Sequence, residues 1–264
     1  RHVAFSDEHF DSEMLSYQFN GRSKYSLERL SIEQADIFTT VSNISNEESK
    51  ILYQHAADVV TPNGFDIQLA GLSQSTEKQH IETKNTLRLL AQAITKQKVN
   101  DDALFVTTSG THQIKNKGFD LFIDALAKYN DTSKSSRQII AYIAVPAVTV
   151  GPREDLKLDE NVSFDTPSIE DYLTHWIFDY DKNLIIQRLM NSNLKNRPED
   201  KVKVIFIPTY LNGKDGVLNL TYYEYLCGFD FTVFPSFYEP WGYTPMESAT
   251  LGIPTLTTNR SGFG

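Results

Sequence analysis

Two runs of almost uninterrupted apolar residues constrain the fold of this chain more than any other feature of its sequence. They are IIAYIAVPA at 139–147 and KVKVIFIP at 201–208. Strands that are apolar throughout are typical of parallel sheets, because helices cover both faces of such a sheet. Three shorter runs resemble them: ALFVTTSG (103–110), FDFTVFPS (229–236) and IPTLTT (253–258). The sequence therefore predicts an α/β fold with a buried parallel sheet.

Helical segments and a second series of strands accompany this pattern. In GFDLFIDALAKYN (118–130), apolar residues recur at the helical spacing i, i+3, i+4, i+7: Phe119, Phe122, Ile123 and Leu126. Nearer the start, ADIFTTVS (35–42) and ADVVTPNG (57–64) indicate strands on either side of a helix. Residues 68–102 are polar and indicate a partly helical connector. We predict two α/β units with a crevice between them.

Composition excludes several classes of function. The 264 residues carry a formal net charge of −9, which argues against general binding to nucleic acid or to a membrane surface. No apolar run approaches the roughly 18 residues of a membrane span. The single cysteine, Cys227, allows no internal disulfide and no cysteine-rich metal site. It suits a reducing compartment, so we expect a cytoplasmic protein with Cys227 buried as a small side chain.

A short aromatic stretch, DYLTHWIFDY, gives a further local expectation. His175 and Trp176 lie there among apolar residues, and the spacing of these residues predicts a helix. We expect both side chains to serve packing rather than ligand binding.

The segment FYEPWGYTPMESATLG, which follows the strand at 229–236, is the candidate site. Thr244, with Pro245 next and Glu247 three residues on, matches a helix capping box, and Gly252 ends the predicted helix. A helix beginning near Gly242 offers free N–H groups and a positive dipole end, which suit phosphate. Read locally, Glu247 is only a helix cap and Glu239 only a solvated acid.

The longer segment FPSFYEPWGYTPMESATLGIPTLTTNRSGFG resembles the donor-site segment of the animal and fungal glycogen synthases. Further segments resemble that family in the same order: YSLERLSIEQADIFTTVS, TPNGFDI, NKGFDLFIDALAKYN and VKVIFIPTYL. The resemblance implies a GT-B fold, in which two Rossmann-like domains with parallel sheets face each other across a cleft. It implies that residues 1–68 form the end of an acceptor-side domain, residues 69–102 a connector, and residues 103–264 a nucleotide-sugar-binding domain. It also implies that the chain is truncated at both ends.

The same resemblance implies a reaction and roles for individual residues. The expected activity is transfer of glucose, with retention, from UDP-glucose to the non-reducing end of an α-1,4-glucan, without a metal or other cofactor. The implied partners are a UDP-sugar and a glucan, with a homo-oligomer possible and with neither nucleic acid nor membrane. Glu239 would lie by the donor glucose, Glu247 would bind the ribose, and Tyr222 would stack on the base. Lys117 and Arg29 would neutralise the phosphates, which the amides of Gly242, Tyr243 and Thr244 would hold, and Trp241 would also contact the donor.

The chain departs from the family pattern at two positions. GTHQIKNKG places Thr111 where the family has a phosphate-binding arginine, and SKYSLER places Ser23 where the family has a donor-binding histidine. Threonine supplies neither a charge nor a bidentate fork. We hypothesise that Lys115 or His112 compensates. The departures leave two alternatives open: a retaining GT-B transferase with another donor or acceptor, and a catalytically weakened relative that binds nucleotide or glucan.

Overall fold

The computed structural model describes residues 11–66, 68, 77–159 and 172–264. Contacts divide the chain into two units. The first contains the residues up to Gly64 together with Glu239–Gly242 and Asn259–Gly264. The second contains Phe65–Tyr238 and Tyr243–Thr258. The predicted division into acceptor-side domain, connector and donor domain is a functional one, and it stays a prediction.

The first unit is built around a small parallel βαβ arrangement. Its described elements are α1 (Ser12–Gln18), α2 (Arg22–Gln34), β1 (Thr39–Thr40), α3 (Asn43–Tyr53) and β2 (Val59–Val60). Strand β1 pairs with β2 in parallel, and the Ser42 hydroxyl caps α3 by accepting a hydrogen bond from the Ser45 amide at 3.2 Å. The strands predicted within 35–42 and 57–64 are therefore present, although each is only two residues long.

The second unit contains a five-stranded, wholly parallel sheet. Its elements are α4 (Glu77–Thr95), β3 (Leu104–Ser109), α5 (Phe119–Thr132), β4 (Ile139–Ala144), β5 (Thr149–Pro152), β6 (His175–Ile177), a 3-10 turn (Tyr180–Lys182), α6 (Leu184–Asn191), β7 (Val202–Ile207), α7 (Tyr222–Leu226), β8 (Phe231–Phe234), α8 (Tyr243–Thr250) and β9 (Thr255–Thr257). The strand order is β7-β4-β3-β8-β9. Every residue of β4 and β7 is buried, which confirms the prediction made from the two apolar runs.

Helices cover both faces of this sheet. Successive residues of β4 alternate between two apolar cores: Ala141 and Ile143 lie in the core under α5 and α6, and Ile140 and Tyr142 lie in the core under α4 and α7. The predicted face of α5 is confirmed, since Phe119, Phe122, Ile123 and Leu126 are all buried. This alternation is the expected geometry of a strand with a side-chain period of two.

Helix α4 lies in the segment that was interpreted as a connector, of which residues 69–76 fall outside the described ranges. Its Leu87, Leu90 and Ile94 are buried in the second core. Lys84 Nζ also lies 2.6 Å from Asp230 Oδ1, and Asp230 Oδ2 accepts a hydrogen bond from the amide of Phe105, the second residue of β3. The helix therefore forms one wall of the second unit's core.

The interpretation of DYLTHWIFDY as helical is wrong. His175 and Trp176 belong to β6, which pairs antiparallel with β5. Because strand side chains alternate, His175 is buried with its Nε2 2.8 Å from the Asp215 carbonyl oxygen, whereas Trp176 is half-exposed under the Arg153 guanidinium. The packing role is thus confirmed for His175. Cys227 is buried, as expected. None of the helices in the described ranges is long and apolar enough to cross a membrane.

Candidate functional site

A cavity of about 500 Å³ lies at the carboxyl edge of the parallel sheet. Its walls come from the carboxyl ends of three strands and the segments that follow them: 109–112 at the end of β3, 144 and 146 at the end of β4, and 209–211 after β7. Tyr222 of α7 and Thr244 of α8 complete the lining. Ligands of parallel α/β sheets bind at this edge, beyond the carboxyl ends of the strands.

Tyr222 is fixed at the cavity wall by the start of α7. Thr221 and Glu224 form a complete capping box, so the helix begins with Tyr222 facing the cavity. The Tyr222 hydroxyl lies 2.8 Å from Ser109 Oγ, and burial raises the pKa of Tyr222 above its ordinary value. The phenol is therefore neutral and rigidly held, and its ring offers a flat face for stacking against a base.

The loop between β3 and α5 carries Lys117 beside the same cavity. Gly110 lines the cavity. A Cβ added at Gly110 would lie 3.5 Å from Lys117 Cδ, so the aliphatic part of the lysine side chain lies along this glycine. Gly118, at φ +69°, then turns the chain into α5. A Cβ at Gly118 would approach the Pro235 carbonyl oxygen to 2.0 Å. The loop can therefore approach β8 this closely only with glycine at this position.

The structure distinguishes between His112 and Lys115, the two residues that could compensate for the arginine missing at position 111. Thr111 and His112 are exposed and line the cavity. Lys115 is directed to α5, where its Nζ lies 3.0 Å from Asp120 Oδ2. His112 Nε2 lies 3.3 Å from Asn183 Nδ2. The geometry therefore favours His112 over Lys115 as the group that meets a ligand in this cavity.

Helix α8 places Thr244 and Glu247 differently from the predicted capping box. The helix begins at Tyr243, two residues before the predicted first helical position at Pro245, and Glu247 Oε1 accepts a hydrogen bond from the Tyr223 hydroxyl at 3.2 Å. Burial raises the pKa of Glu247, and the bond from Tyr223 opposes that shift. Its carboxylate is held by a tyrosine of α7 rather than by Thr244. The interpretation of Glu247 as only a helix cap is therefore wrong, and Gly252 ends the helix at φ +82° as predicted.

Glu239, Trp241 and Gly242 lie in the first unit, where their segment pairs with residues 259–264. The Glu239 amide donates to the Arg260 carbonyl at 3.1 Å, and its own carbonyl accepts from the Gly262 amide at 3.1 Å. Trp241 packs edge-on against Phe263, with ring centroids 6.0 Å apart. The loop that carries Glu239 is therefore fixed by backbone pairing rather than left as a free tip.

Arg29 lies on α2 in the first unit. Its side chain is half-exposed, and its Nε donates to Glu33 Oε1 at 2.9 Å, which raises the pKa of the guanidinium. Ser23 lies earlier on the same helix, close to its start at Arg22, and is exposed. A diphosphate that binds Arg29 would compete with the Glu33 carboxylate.

The structure thus brings together part of the predicted site. Tyr222 and Thr244 share one cavity, Lys117 lies against its Gly110 wall, and Glu247 is anchored next to them through Tyr223. Tyr243 is half-exposed at the first position of α8. Arg29, Glu239, Trp241 and Gly242 belong to the first unit. The individual roles of these nine residues stay predictions.

Sequence reasoning missed Ser109, Tyr223 and Tyr210. The sequence TYYE at 221–224 is itself a capping-box signature and could have identified the start of α7, and with it Tyr223. Ser109 and Tyr210 carry no such signal, because strand order alone brings the ends of β3 and β7 to one cavity. Among the described residues, no group of three or more His, Cys, Asp and Glu side chains is arranged to hold a metal ion.

Several solved structures resemble the chain, and two of them hold ligands. One is the Anabaena protein HepE in complex with UDP and glucose, with a TM-score of 0.51 and 16% identity over 99% of this chain and 52% of that one. The other is the catalytic domain of starch synthase IV from Arabidopsis thaliana bound to ADP and acarbose, with a TM-score of 0.53 and 15% identity over 89% of this chain and 42% of that one. These likenesses confirm the predicted α/β fold of the GT-B type.

Sequence comparisons point to one family. Glycogen [starch] synthase isoform 2 of Saccharomyces cerevisiae is 30% identical over 91% of this chain and 43% of its own length. The liver glycogen [starch] synthase of Mus musculus is 28% identical over 91% of this chain and 42% of its own length. The chain thus spans less than half the length of these relatives. The family model described as glycogen synthase matches residues 8–162 and 154–264. The chain belongs to the glycogen synthase family.

Proposed function

We propose that the protein containing this chain transfers glucose, with retention, from UDP-glucose to the non-reducing end of an α-1,4-glucan. The observation that carries the proposal is the cavity at the carboxyl edge of the parallel sheet, with the Tyr222 ring in one wall and the start of α8 in another. Its lining is mostly apolar with a few polar groups, which is the common make-up of a small-molecule site. The two similar structures hold a nucleoside diphosphate and a sugar, which supports the same ligand class here.

In this proposal the donor is held by groups of three kinds. Tyr222 stacks on the base, Glu247 accepts hydrogen bonds from the ribose hydroxyls, and the amides of Gly242, Tyr243 and Thr244 bind the diphosphate. Lys117 and Arg29 supply positive charge to the phosphate oxygens. Such charge is needed locally, because the chain as a whole carries a net charge of −9 and would repel an anion.

The reaction breaks the bond between the anomeric carbon and the phosphate oxygen. Negative charge develops on the departing UDP, where fixed cations and helix amides stabilise it. Positive charge develops on the sugar ring, where the Glu239 carboxylate favours it. The acceptor hydroxyl attacks from the face that the phosphate leaves and passes its proton to the phosphate oxygen. No metal or other cofactor takes part in this scheme.

Thr111 favours a second candidate. A threonine at the cavity wall provides no counter-charge where the family has an arginine, and this fits a retaining GT-B transferase with a different donor. A donor whose phosphate group carries less negative charge would tolerate that loss. We also expect a cytoplasmic protein, because its single cysteine is buried and allows no internal disulfide.

Calorimetry with UDP, UDP-glucose and ADP-glucose tests the proposed donor. We expect UDP and UDP-glucose to bind and Tyr222→Ala to weaken UDP binding at least about fivefold, because stacking on a base contributes about 1–3 kcal/mol. Tyr222→Phe keeps the ring and should bind nearly as wild-type. Tighter binding of ADP-glucose would replace the first candidate by the second. Equal UDP affinity in Tyr222→Ala would refute the assignment of the cavity.

A glucan-elongation assay on the full-length protein tests the reaction. Glu239→Gln should abolish transfer of glucose from UDP-glucose and leave UDP affinity unchanged, because this residue is assigned to the sugar and not to the nucleotide. Intact transfer with lost UDP binding would overturn the assignment. UDP binding by a wild-type protein that elongates no glucan would support the weakened relative.

A further inference from the structure

A second cavity, of about 550 Å³, lies beside the first in the second unit. The two cavities share His112, Pro146 and Tyr210 in their walls, so they are adjacent at the carboxyl edge of the sheet. The remaining walls of the second cavity come from the loop after β4, the end of β6 and the residues between β6 and α6. The donor roles assigned above involve none of those walls.

Two aromatic side chains of the second cavity are strongly exposed. Phe178 is 75% exposed and Tyr210 is 73% exposed, whereas the neighbouring Ile177 is 8% exposed and lies in the core. The alternation of β6 and its extension directs Ile177 inward and Phe178 outward, where Phe178 donates its amide to the Val148 carbonyl at 3.0 Å. Large apolar side chains that remain exposed around a recess are typical of binding sites.

The polar groups of the second cavity are nearly balanced in charge. Asp179 and Lys182 lie 3.5 Å apart, with side chains 59% and 81% exposed, so each keeps most of its hydrogen-bonding capacity. Asn183 Nδ2 and His112 Nε2 add amide and imidazole groups at the boundary with the first cavity. One acid beside one base provides no net field for a polyanion or polycation, and it suits a neutral ligand with many hydroxyls.

We infer that the second cavity is a glucan subsite, in which Phe178 and Tyr210 stack on sugar rings while Asp179, Lys182 and Asn183 hydrogen-bond to hydroxyls. A glucose ring has an apolar C–H face and a hydroxyl-rich edge, and this combination matches an aromatic wall with a polar rim. Adjacency to the cavity assigned to the donor favours the substrate of the same reaction over a second protein chain. The inference rests on the proposed function, because it assigns the acceptor glucan to a site next to the donor.

Titration of the chain with maltoheptaose, followed by NMR or calorimetry, tests the subsite. We expect wild-type to bind maltoheptaose and Phe178→Ala to bind it at least about tenfold more weakly, whereas Phe178→Trp should retain binding. Phe19→Ala is the matched control, because Phe19 is 74% exposed in the first unit and lies outside the cavity. UDP affinity, measured on the same samples, should not change in any of these variants.

The outcomes separate the subsite from the proposed function. If UDP binds but Phe178→Ala binds maltoheptaose as well as wild-type does, the subsite is refuted and the donor assignment stands. If maltoheptaose binds and UDP does not, with Phe178→Ala selectively weakened, the subsite is supported and the donor assignment fails. A chain that self-associates through Phe178, as judged by sedimentation, and binds no maltoheptaose would show that this face contacts a second copy, which also refutes the subsite.

Discussion

Position 111 shows how much a single side chain can change at a charged site. Thr111 lines the cavity at the carboxyl edge of the sheet, at a position where the resemblance to the family implies a guanidinium, so a diphosphate bound there would lack one counter-charge. Two nearby residues could supply a replacement hydrogen bond, and the sequence alone cannot separate them. The structure does separate them, since His112 lines the cavity and Lys115 pairs with Asp120 at 3.0 Å.

This difference predicts unequal effects of two alanine variants. His112→Ala should weaken UDP binding about fivefold, the loss expected for one hydrogen bond of about 1 kcal/mol. Lys115→Ala should leave UDP affinity unchanged, because it removes only the ion pair with Asp120 of α5, in which the lysine side chain is exposed to solvent. Calorimetry with UDP measures both. If Lys115→Ala weakened UDP binding and His112→Ala did not, the assignment would be reversed.

Among the structural elements, two glycines at helix ends serve different purposes. Gly118 precedes α5, and Gly252 follows α8. Both glycines have positive φ, +69° and +82°. At Gly118 the chain also packs against Pro235, whereas a Cβ at Gly252 would meet nothing within 4 Å. One glycine is therefore required by backbone conformation and by space, and the other by conformation alone.

Alanine substitutions should show this difference in the free energy of unfolding. Gly252→Ala should destabilise by about 1 kcal/mol, the strain of a left-handed conformation with a side chain. Gly118→Ala should destabilise by about 3 kcal/mol or more, because its Cβ would also overlap a backbone carbonyl. Urea denaturation of the two variants measures the difference. Equal losses would show that the loop relaxes away from Pro235.

At the scale of the whole molecule, the core of the second unit contains a lysine. Lys203 of β7 is only 1% exposed, and its Nζ donates to the Arg197 carbonyl. Burial lowers the pKa of Lys203 from 10.5 to about 8, against the opposing effect of Asp200 and Glu199. The folded chain therefore releases this proton at a lower pH than the unfolded chain does.

The sign of the resulting pH dependence follows from proton binding. Between pH 8 and 10.5 the unfolded chain binds more protons at this lysine, so stability should rise with pH across that window. Urea denaturation between these limits, kept below the ordinary pKa of tyrosine, measures the rise. Lys203→Met should flatten it, whereas Lys128→Met, at an exposed position on α5, should not. A slope that is unchanged in Lys203→Met would contradict the shift.

Residue pattern alone was enough to predict the parallel sheet, the buried face of α5 and the glycine that ends α8. These features are encoded locally, because burial on one or both faces leaves a periodic record in the chain. Sequence reasoning failed where contacts are remote: His175 belongs to a strand, and Glu247 is held by Tyr223 rather than by Thr244. Which side chains share a cavity depends on the tertiary fold, because strand order brings together loops that lie about a hundred residues apart at 109–112 and 209–211.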